Sequence, residues 1–252
     1  MNDLRSRIYQ HYVHARGETL APATVAGFAP RASTLRRLIR KYLPADSTAS
    51  ILDLGCGHGA LIYFLRQAGY CNVVGVDVSP EQAGEAARLG IEGIREGDLL
   101  DTLRNLPDHS QDVVIAFDVI EHFTKDELLP FVDEVLRVLK PGGRWLIHAP
   151  NGESPFVGAI RYGDMTHELA FTRVSLAQLL LSSGFSRVDC HESGPIPAGV
   201  KSTARWVLWR GIRLLLRVWV AAETGDLGRD VIYTRNLLAV AYKRSGPNEG
   251  SI

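Results

Sequence analysis

The segment Ile51-Leu52-Asp53-Leu54-Gly55-Cys56-Gly57-His58-Gly59-Ala60 constrains this chain more than any other. An apolar strand carries an acid, glycines then alternate, and the helical pattern Leu61-Ile62-Tyr63-Phe64-Leu65 follows at once. Alternate glycines permit a sharp strand-to-helix turn and let a ligand lie against bare backbone. The helix N-terminus adds unpaired N–H groups beside it. Gly55, Gly57 and Ala60 also satisfy the dinucleotide-binding pattern. Asp53 argues against that ligand, because a carboxylate so close to the glycines repels a pyrophosphate. It suits a ligand carrying an ammonium and a sulfonium. The glycines are not followed by Lys-Ser or Lys-Thr, which argues against a nucleoside triphosphate loop.

Short apolar runs alternate with helical patterns from residue 51 to about 190, the signature of βαβ units and a parallel sheet. The pattern predicts strands at 50–54, 73–77, 92–96, 112–118, 143–149, 186–191 and 235–243, and helices at 32–43, 59–68, 80–88, 125–139 and 173–183. Ser79-Pro80-Glu81 reads as a helix start, a capping hydroxyl followed by proline. Pro141-Gly142-Gly143 ends the fifth helix and turns the chain into the next strand. One domain over 1–244 is expected, with an N-terminal helical segment at 1–45 and a disordered tail at 245–252. Two segments exceed ordinary loop lengths, 150–172 and 193–234, and the second contains a helix of its own. Long excursions from a regular scaffold are where substrate recognition is expected.

Formal charge is zero, so no overall field draws the chain to nucleic acid. Three cysteines without a CxxC suggest a reducing compartment and no structural zinc. The polar start of the chain and the lack of a long uncharged apolar run point to a cytoplasmic protein.

The later strands also end in acids. Asp77, about twenty residues beyond the glycines, is placed to accept from ribose hydroxyls. Asp98 is placed to accept from an exocyclic purine amine, with Val78 and Leu99 flanking the ring. The fourth strand stops abruptly in Asp118, Glu121 and His122, at the end where such sheets bind ligands.

The ordered set DLGCGHG, VVGVDVS, EGDLL, DVVIAFDVIEHF and VLKPGGRWLIHAPN resembles the class I S-adenosylmethionine-dependent methyltransferases over residues 50–191. That resemblance implies a Rossmann-like α/β fold, a seven-stranded sheet of order 3-2-1-4-5-7-6 whose last strand is antiparallel, with helices on both faces. It implies S-adenosylmethionine as cofactor. Gly55, Cys56 and Gly57 would line its methionine end, Asp53 would bind its amino group and Asp77 its ribose. Asp98 and Leu99 would meet the adenine, and Phe117 would back the cofactor after the fourth strand. The run from Asn151 through Arg161, Tyr162, Asp164, His167 and Glu168 to Phe171-Thr172 is similar to methyltransferases among bacterial surface-polysaccharide and sugar-modifying enzymes. The expected reaction is methyl transfer to a sugar hydroxyl of a glycan, lipid-linked saccharide or nucleotide sugar. A small-molecule methyltransferase acting on a quinol or natural product is the alternative, and a catalytically silent cofactor-binding subunit a further one.

A sugar hydroxyl is a poor nucleophile until its proton is removed, so a base is expected within reach. His167, with Asp164 and Glu168 close by, and His122 beside Glu121 are the candidates; His148 and His58 fit that role less well. Arg161, Tyr162 and Glu168 are expected to contact substrate. Metal-independent chemistry is expected, Asp164, His167 and Glu168 being the group that would otherwise ligate a divalent ion. The stretch 201–220 carries Lys201, Arg205, Arg210, Arg213 and Arg217 and no acid. Leu208, Ile212, Leu215 and Trp219 share one helical face. This fits either an interfacial helix at the inner membrane face or a helix packed on the sheet edge or in a homodimer contact, with its arginines in solvent.

Overall fold

The computed structural model describes residue 8, residues 21–228 and residues 230–246. Residues 1–7 and 9–20 of the expected N-terminal helical segment, and 247–252 of the expected tail, lie outside the described residues.

Seven strands form one sheet: β1 (Ile51–Leu54), β2 (Val73–Asp77), β3 (Ile94–Glu96), β4 (Gln111–Phe117), β5 (Leu139–Pro150), β6 (Arg187–Glu192) and β7 (Asn236–Tyr242). Their order is β3-β2-β1-β4-β5-β7-β6, as expected. β1 pairs in parallel with β2 and β4, whereas β7 runs antiparallel to both β5 and β6. The helices are α1 (Ala29–Tyr42), α2 (Ala60–Gln67), α3 (Pro80–Arg88), α4 (Leu99–Arg104), α5 (Lys125–Val138), α6 (Val157–Arg161), α7 (Arg173–Ser182) and α8 (Val200–Thr224).

Strand residues alternate between two apolar layers, as a sheet covered on both faces requires. Val114 and Ala116 of β4 share one layer with Leu52 and Leu54 of β1, Trp145 of β5 and Phe131 of α5. Val113 and Ile115 share the other with Ile51, Ile62 of α2 and Leu38 and Ile39 of α1. Helix starts follow local chemistry. Ser79 accepts from Gln82 N ahead of Pro80, and Thr124 with Glu127 forms a reciprocal capping box at α5.

Four short pieces were not expected: the 3-10 turns Val25–Phe28 and Ile120–His122, and helices α4 and α6. Each is too short to show an apolar period. The Pro141-Gly142-Gly143 turn is corrected too. α5 does end at Val138, but β5 begins at Leu139 and carries the Pro-Gly-Gly within it, as a register shift between Gln111↔Leu139 and Val113↔Arg144.

Chain order reverses direction across the sheet between β1 and β4, so the loops after their C-terminal ends diverge and leave a crevice. The strand glycine Gly75 keeps the back of that crevice compact. A Cβ there would stand 2.3 Å from Ile62 Cδ1 and 2.7 Å from Cys56 Sγ. Gly75→Ala is therefore expected to destabilise the fold by about 1–3 kcal/mol, the usual scale of overpacking. Urea unfolding measures this, and an unchanged midpoint would show that Ile62 and Cys56 yield without strain.

Candidate active site

The glycine loop is built from left-handed backbone. Gly55, Gly57 and Gly59 have φ of 70°, 55° and 83°, conformations that side-chain-bearing residues rarely adopt. Gly55 N and Cys56 N both donate to Val76 O, at 2.8 and 3.2 Å, which closes the loop onto β2. Gly57 N donates to Asp77 Oδ2 at 2.8 Å, and Ser79 N donates to Asp77 Oδ1 at 2.9 Å. One carboxylate thus holds both turns. Asp77 is 8% exposed, and burial raises its pKa against the lowering effect of those two donors.

Asp53 lies deeper, 3% exposed, and among the described residues it forms no ion pair. Burial first, and the Asp77 charge second, push its pKa up to about 8. Cys56 is half-buried beside the two acids, and burial raises its thiol pKa well above the ordinary value. His58 stacks on the buried Phe28 ring at 5.5 Å, so the 3-10 turn before α1 covers the outer side of the loop.

Asp98 is exposed and caps α4, its Oδ1 accepting from Asp101 N at 2.9 Å. Leu99 sits with Val76 and Leu103 in the core at 8% exposure, while Val78 stands open at 36%. Phe117 ends β4 half-buried, its ring 5.7 Å from that of His148.

The second half of the crevice is assembled by backbone. Glu168 N and Leu169 N both donate to Glu121 O, at 2.7 and 3.0 Å, which draws the 150–172 segment onto the turn after β4. The rings of His122 and His167 consequently meet edge to face at 4.8 Å. Thr166 Oγ1 donates to Asp164 Oδ1 at 2.6 Å and so is free to accept from His122 Nδ1 at 2.8 Å. His167 Nδ1 faces Ile160 O at 3.0 Å, and a carbonyl can only accept. These bonds assign the proton to Nδ1 in both rings and the lone pair to Nε2. Burial, then the His167 charge, lowers the His122 pKa to about 4, so that ring is neutral.

Glu121 is 1% exposed, and among the described residues its Oε2 has no hydrogen-bond partner. Burial first, then the Asp118 charge, raises its pKa well above the carboxylate range. Asp118 has a φ of 57° and accepts from His148 Nδ1 at 2.8 Å, and His148 Nε2 reaches Ser193 Oγ at 3.2 Å. Burial works to raise the Asp118 pKa, but the His148 hydrogen bond and the surrounding histidine charges lower it. Asp118 is enclosed by protein, yet 58% of its side chain meets solvent, as on the floor of a cleft.

Several expectations change here. Arg161 does not reach into the cleft: its guanidinium donates to the carbonyls of His167 and Glu168, and so it folds the insertion. Asp164, 9% exposed, is committed to Thr166 and positions His122 through it. Asp164, His167 and Glu168 do not gather as one ligand set. Among the described residues the cluster with ligand spacing is Glu121, His122 and His167. Tyr162 and Glu168 are exposed, Tyr162 at 78%. Thr166 and Ser193 were missed, because hydroxyls bridging distant segments leave no local pattern.

Residues 52–147 match the methyltransferase domain family. The match runs from β1 into β5 and carries the glycine loop, Asp77, Asp98 and the Glu121-His122 pair. Over 140 residues the chain is 33% identical to a probable S-adenosylmethionine-dependent methyltransferase of Mycolicibacterium smegmatis, covering 55% of this chain and 52% of that protein. Over 103 residues it is 35% identical to the 2-methyl-6-phytyl-1,4-hydroquinone methyltransferase of Synechocystis, covering 40% and 31%. The chain thus spans about half the length, or less, of these relatives. The fold is shared with a SAM-dependent methyltransferase from Archaeoglobus fulgidus at a TM-score of 0.62 and 19% identity, covering 96% of this chain and all of that one.

Asp53 yields a prediction that needs no ligand. Its folded pKa lies above the unfolded value of 3.8, so the stability it contributes is complete below about pH 4 and is lost as pH rises through about 8. Asp53→Asn should therefore melt progressively higher than the parent as pH increases over this range, by roughly 2–4 °C for each kcal/mol recovered. Calorimetric melts at several pH values test this, and a difference independent of pH would mean that Asp53 is ionised in the folded protein.

Proposed function

We propose that the protein transfers the methyl group of S-adenosylmethionine to a hydroxyl of a saccharide acceptor. The observation that carries this reading is the meeting of two unlike surfaces in one crevice. A loop of bare amides and buried carboxylates lies after β1 and β2, and a histidine–carboxylate corner lies after β4.

On the donor side, Asp53 takes the ammonium of the methionine end, a cation that relieves its burial beside Asp77. Gly55, Cys56 and Gly57 lie against that end. Asp77 keeps its two amide donors and accepts from the ribose hydroxyls. Asp98 and the N-terminus of α4 face the adenine, Val78 covers one side of it, and Phe117 backs the cofactor. The sulfonium is already activated, so the residues chiefly align acceptor oxygen, methyl carbon and sulfur, which supplies several kcal/mol. The oxygen–carbon bond forms as the carbon–sulfur bond breaks, and the electron pair stays on sulfur. The hydroxyl proton leaves at the corner of His122 and His167, whose lone pairs lie on Nε2.

On the acceptor side, the 150–172 segment supplies His167 directly and exposes Tyr162 and Glu168 for hydroxyl recognition. A lipid-linked saccharide is favoured by α8. Arg213 pairs with Glu192 at 3.0 Å and Trp209 Nε1 reaches the same carboxylate at 3.5 Å, so this cationic face turns toward the sheet. Leu208, Leu215 and Trp219 are 65%, 71% and 66% exposed, and Lys201, Arg205 and Arg210 are exposed alongside them. An apolar face flanked by cations suits an anionic membrane surface. No described helix is long and apolar enough to cross a membrane. A quinol acceptor is the second reading, favoured by the same face and by the hydroquinone relative.

Three measurements test these readings. Labelled methyl transfer to saccharides, lipid-linked saccharides and quinols should mark a saccharide. Labelling of quinols alone would replace the acceptor, and Asp77→Ala should weaken S-adenosylmethionine binding by about 1–3 kcal/mol. Vesicles containing anionic lipid should sediment the protein but not a Leu215→Glu/Trp219→Glu variant, whereas equal sedimentation would assign the face to another surface.

A further inference from the structure

We propose that Glu121, His122 and His167 form a divalent-cation site at the acceptor end of the crevice. One carboxylate oxygen and one ring nitrogen from each histidine lie within 4.8 Å of one another. Opposed ligands on a bound ion stand roughly 4 to 4.4 Å apart, twice the metal–ligand distance. Small side-chain rotations therefore close the set.

The hydrogen-bond network specifies what these groups offer. His122 gives its Nδ1 proton to Thr166 Oγ1, which is held in turn by Asp164. His167 gives its Nδ1 proton to Ile160 O. Both rings therefore present Nε2 lone pairs. Metal-binding histidines characteristically have the opposite ring nitrogen fixed in this way, which sets tautomer and orientation before the ion arrives. The independent observation is Glu121. The residue is 1% exposed, and among the described residues Oε2 has no hydrogen-bond donor. A buried oxygen in that condition is costly, and an ion on the same spot as two imidazole lone pairs satisfies it. Asp118, 58% exposed on the cleft floor, adds negative charge on the open side.

Two imidazoles and one carboxylate suit borderline divalent ions such as Mn²⁺ or Zn²⁺ better than Ca²⁺, which prefers oxygen alone. His122 and His167 are half-buried and so can be reached from outside, and a hydroxyl oxygen of the acceptor would complete the coordination there. Held there, the hydroxyl loses its proton to water more readily, and its oxygen attacks the methyl carbon as the carbon–sulfur bond breaks toward sulfur. With the ion bound, both histidines serve as ligands in place of the proton-accepting role given them above, and the site rests on the proposed hydroxyl methylation.

The test is binding of the ion alone. The full chain, stripped with chelator, is titrated with Mn²⁺ by electron paramagnetic resonance and separately with Zn²⁺ by calorimetry, without donor or acceptor. One ion per chain is expected, with affinity falling at least tenfold in Glu121→Gln and again in His167→Asn. Unchanged S-adenosylmethionine binding in both variants shows that they fold. Failure of both ions to bind, or equal affinity in parent and variants, overturns the site. Ion binding that depends on these residues in a protein that transfers no methyl group supports the site while overturning the functional reading.

Discussion

The hydrogen bond from Gly57 N to Asp77 Oδ2 is the constraint around which the donor half of the crevice is organised. It crosses from the loop after β1 to the end of β2, and the other oxygen of the same carboxylate holds the turn into α3. The acid must be buried to make both bonds, and that burial places it near Asp53. Two carboxylates close together in a dry environment resist ionisation together. The fold tolerates this unfavourable arrangement because the surrounding sheet is fully packed, with Ile51, Leu52, Leu54 and Val76 each at 2% exposure or less. A cation bound there would remove the conflict, and under the proposed function the pocket trades stability for selectivity toward an ammonium-bearing ligand over a pyrophosphate.

The acceptor half depends on a different kind of tie. Glu121 O, receiving two amides from the 150–172 segment, is a backbone group and therefore independent of side-chain identity. His122 and His167, 45 positions apart in sequence, owe their edge-to-face contact to that clamp and to Arg161, which grips the carbonyls on the far side. The insertion behaves as part of the scaffold at this point, which is why Asp164 and Arg161 are consumed internally. Residues flanking a reactive histidine in sequence are attractive as catalytic partners, yet here they are the supports that hold it.

The parts of the fold written in periodicity were readable before any coordinates. Each β-strand forecast overlapped an observed strand, and the acid read at the end of the second strand does end β2. Segments of three to six residues, such as α4, were not readable, because fewer than two turns cannot display an apolar stripe. Asp98 illustrates the consequence: read from the sequence as an adenine contact, it is in the fold the cap of a helix the sequence did not reveal. Orientation was the other gap. On α8 the apolar positions invite the inference that they pack inward. Glu192, distant in sequence, instead draws Arg213 and Trp209 toward the sheet and turns Leu215 and Trp219 outward. A helical wheel records which residues share a face but carries no information about which face finds a partner.

Glu121 joins the two gaps. Read locally, a Glu-His pair after an apolar strand has several ordinary roles, and its acid lies among neighbours that do not advertise a ligand. Only the tertiary structure shows that the glutamate is buried, that its Oε2 is unpartnered among the described residues, and that a histidine from a different segment converges on it. A neutral glutamic acid is the arrangement of least cost when the site is left alone, since burial and the Asp118 charge both disfavour the anion. That same pair of acids, with two imidazoles whose protons point away, becomes favourable once positive charge lies between them. The two ends of the crevice thus obey one rule. Each holds carboxylates that burial leaves poorly compensated, and in the proposed reading each is completed by a cation, organic at the glycine loop and inorganic at the histidine corner.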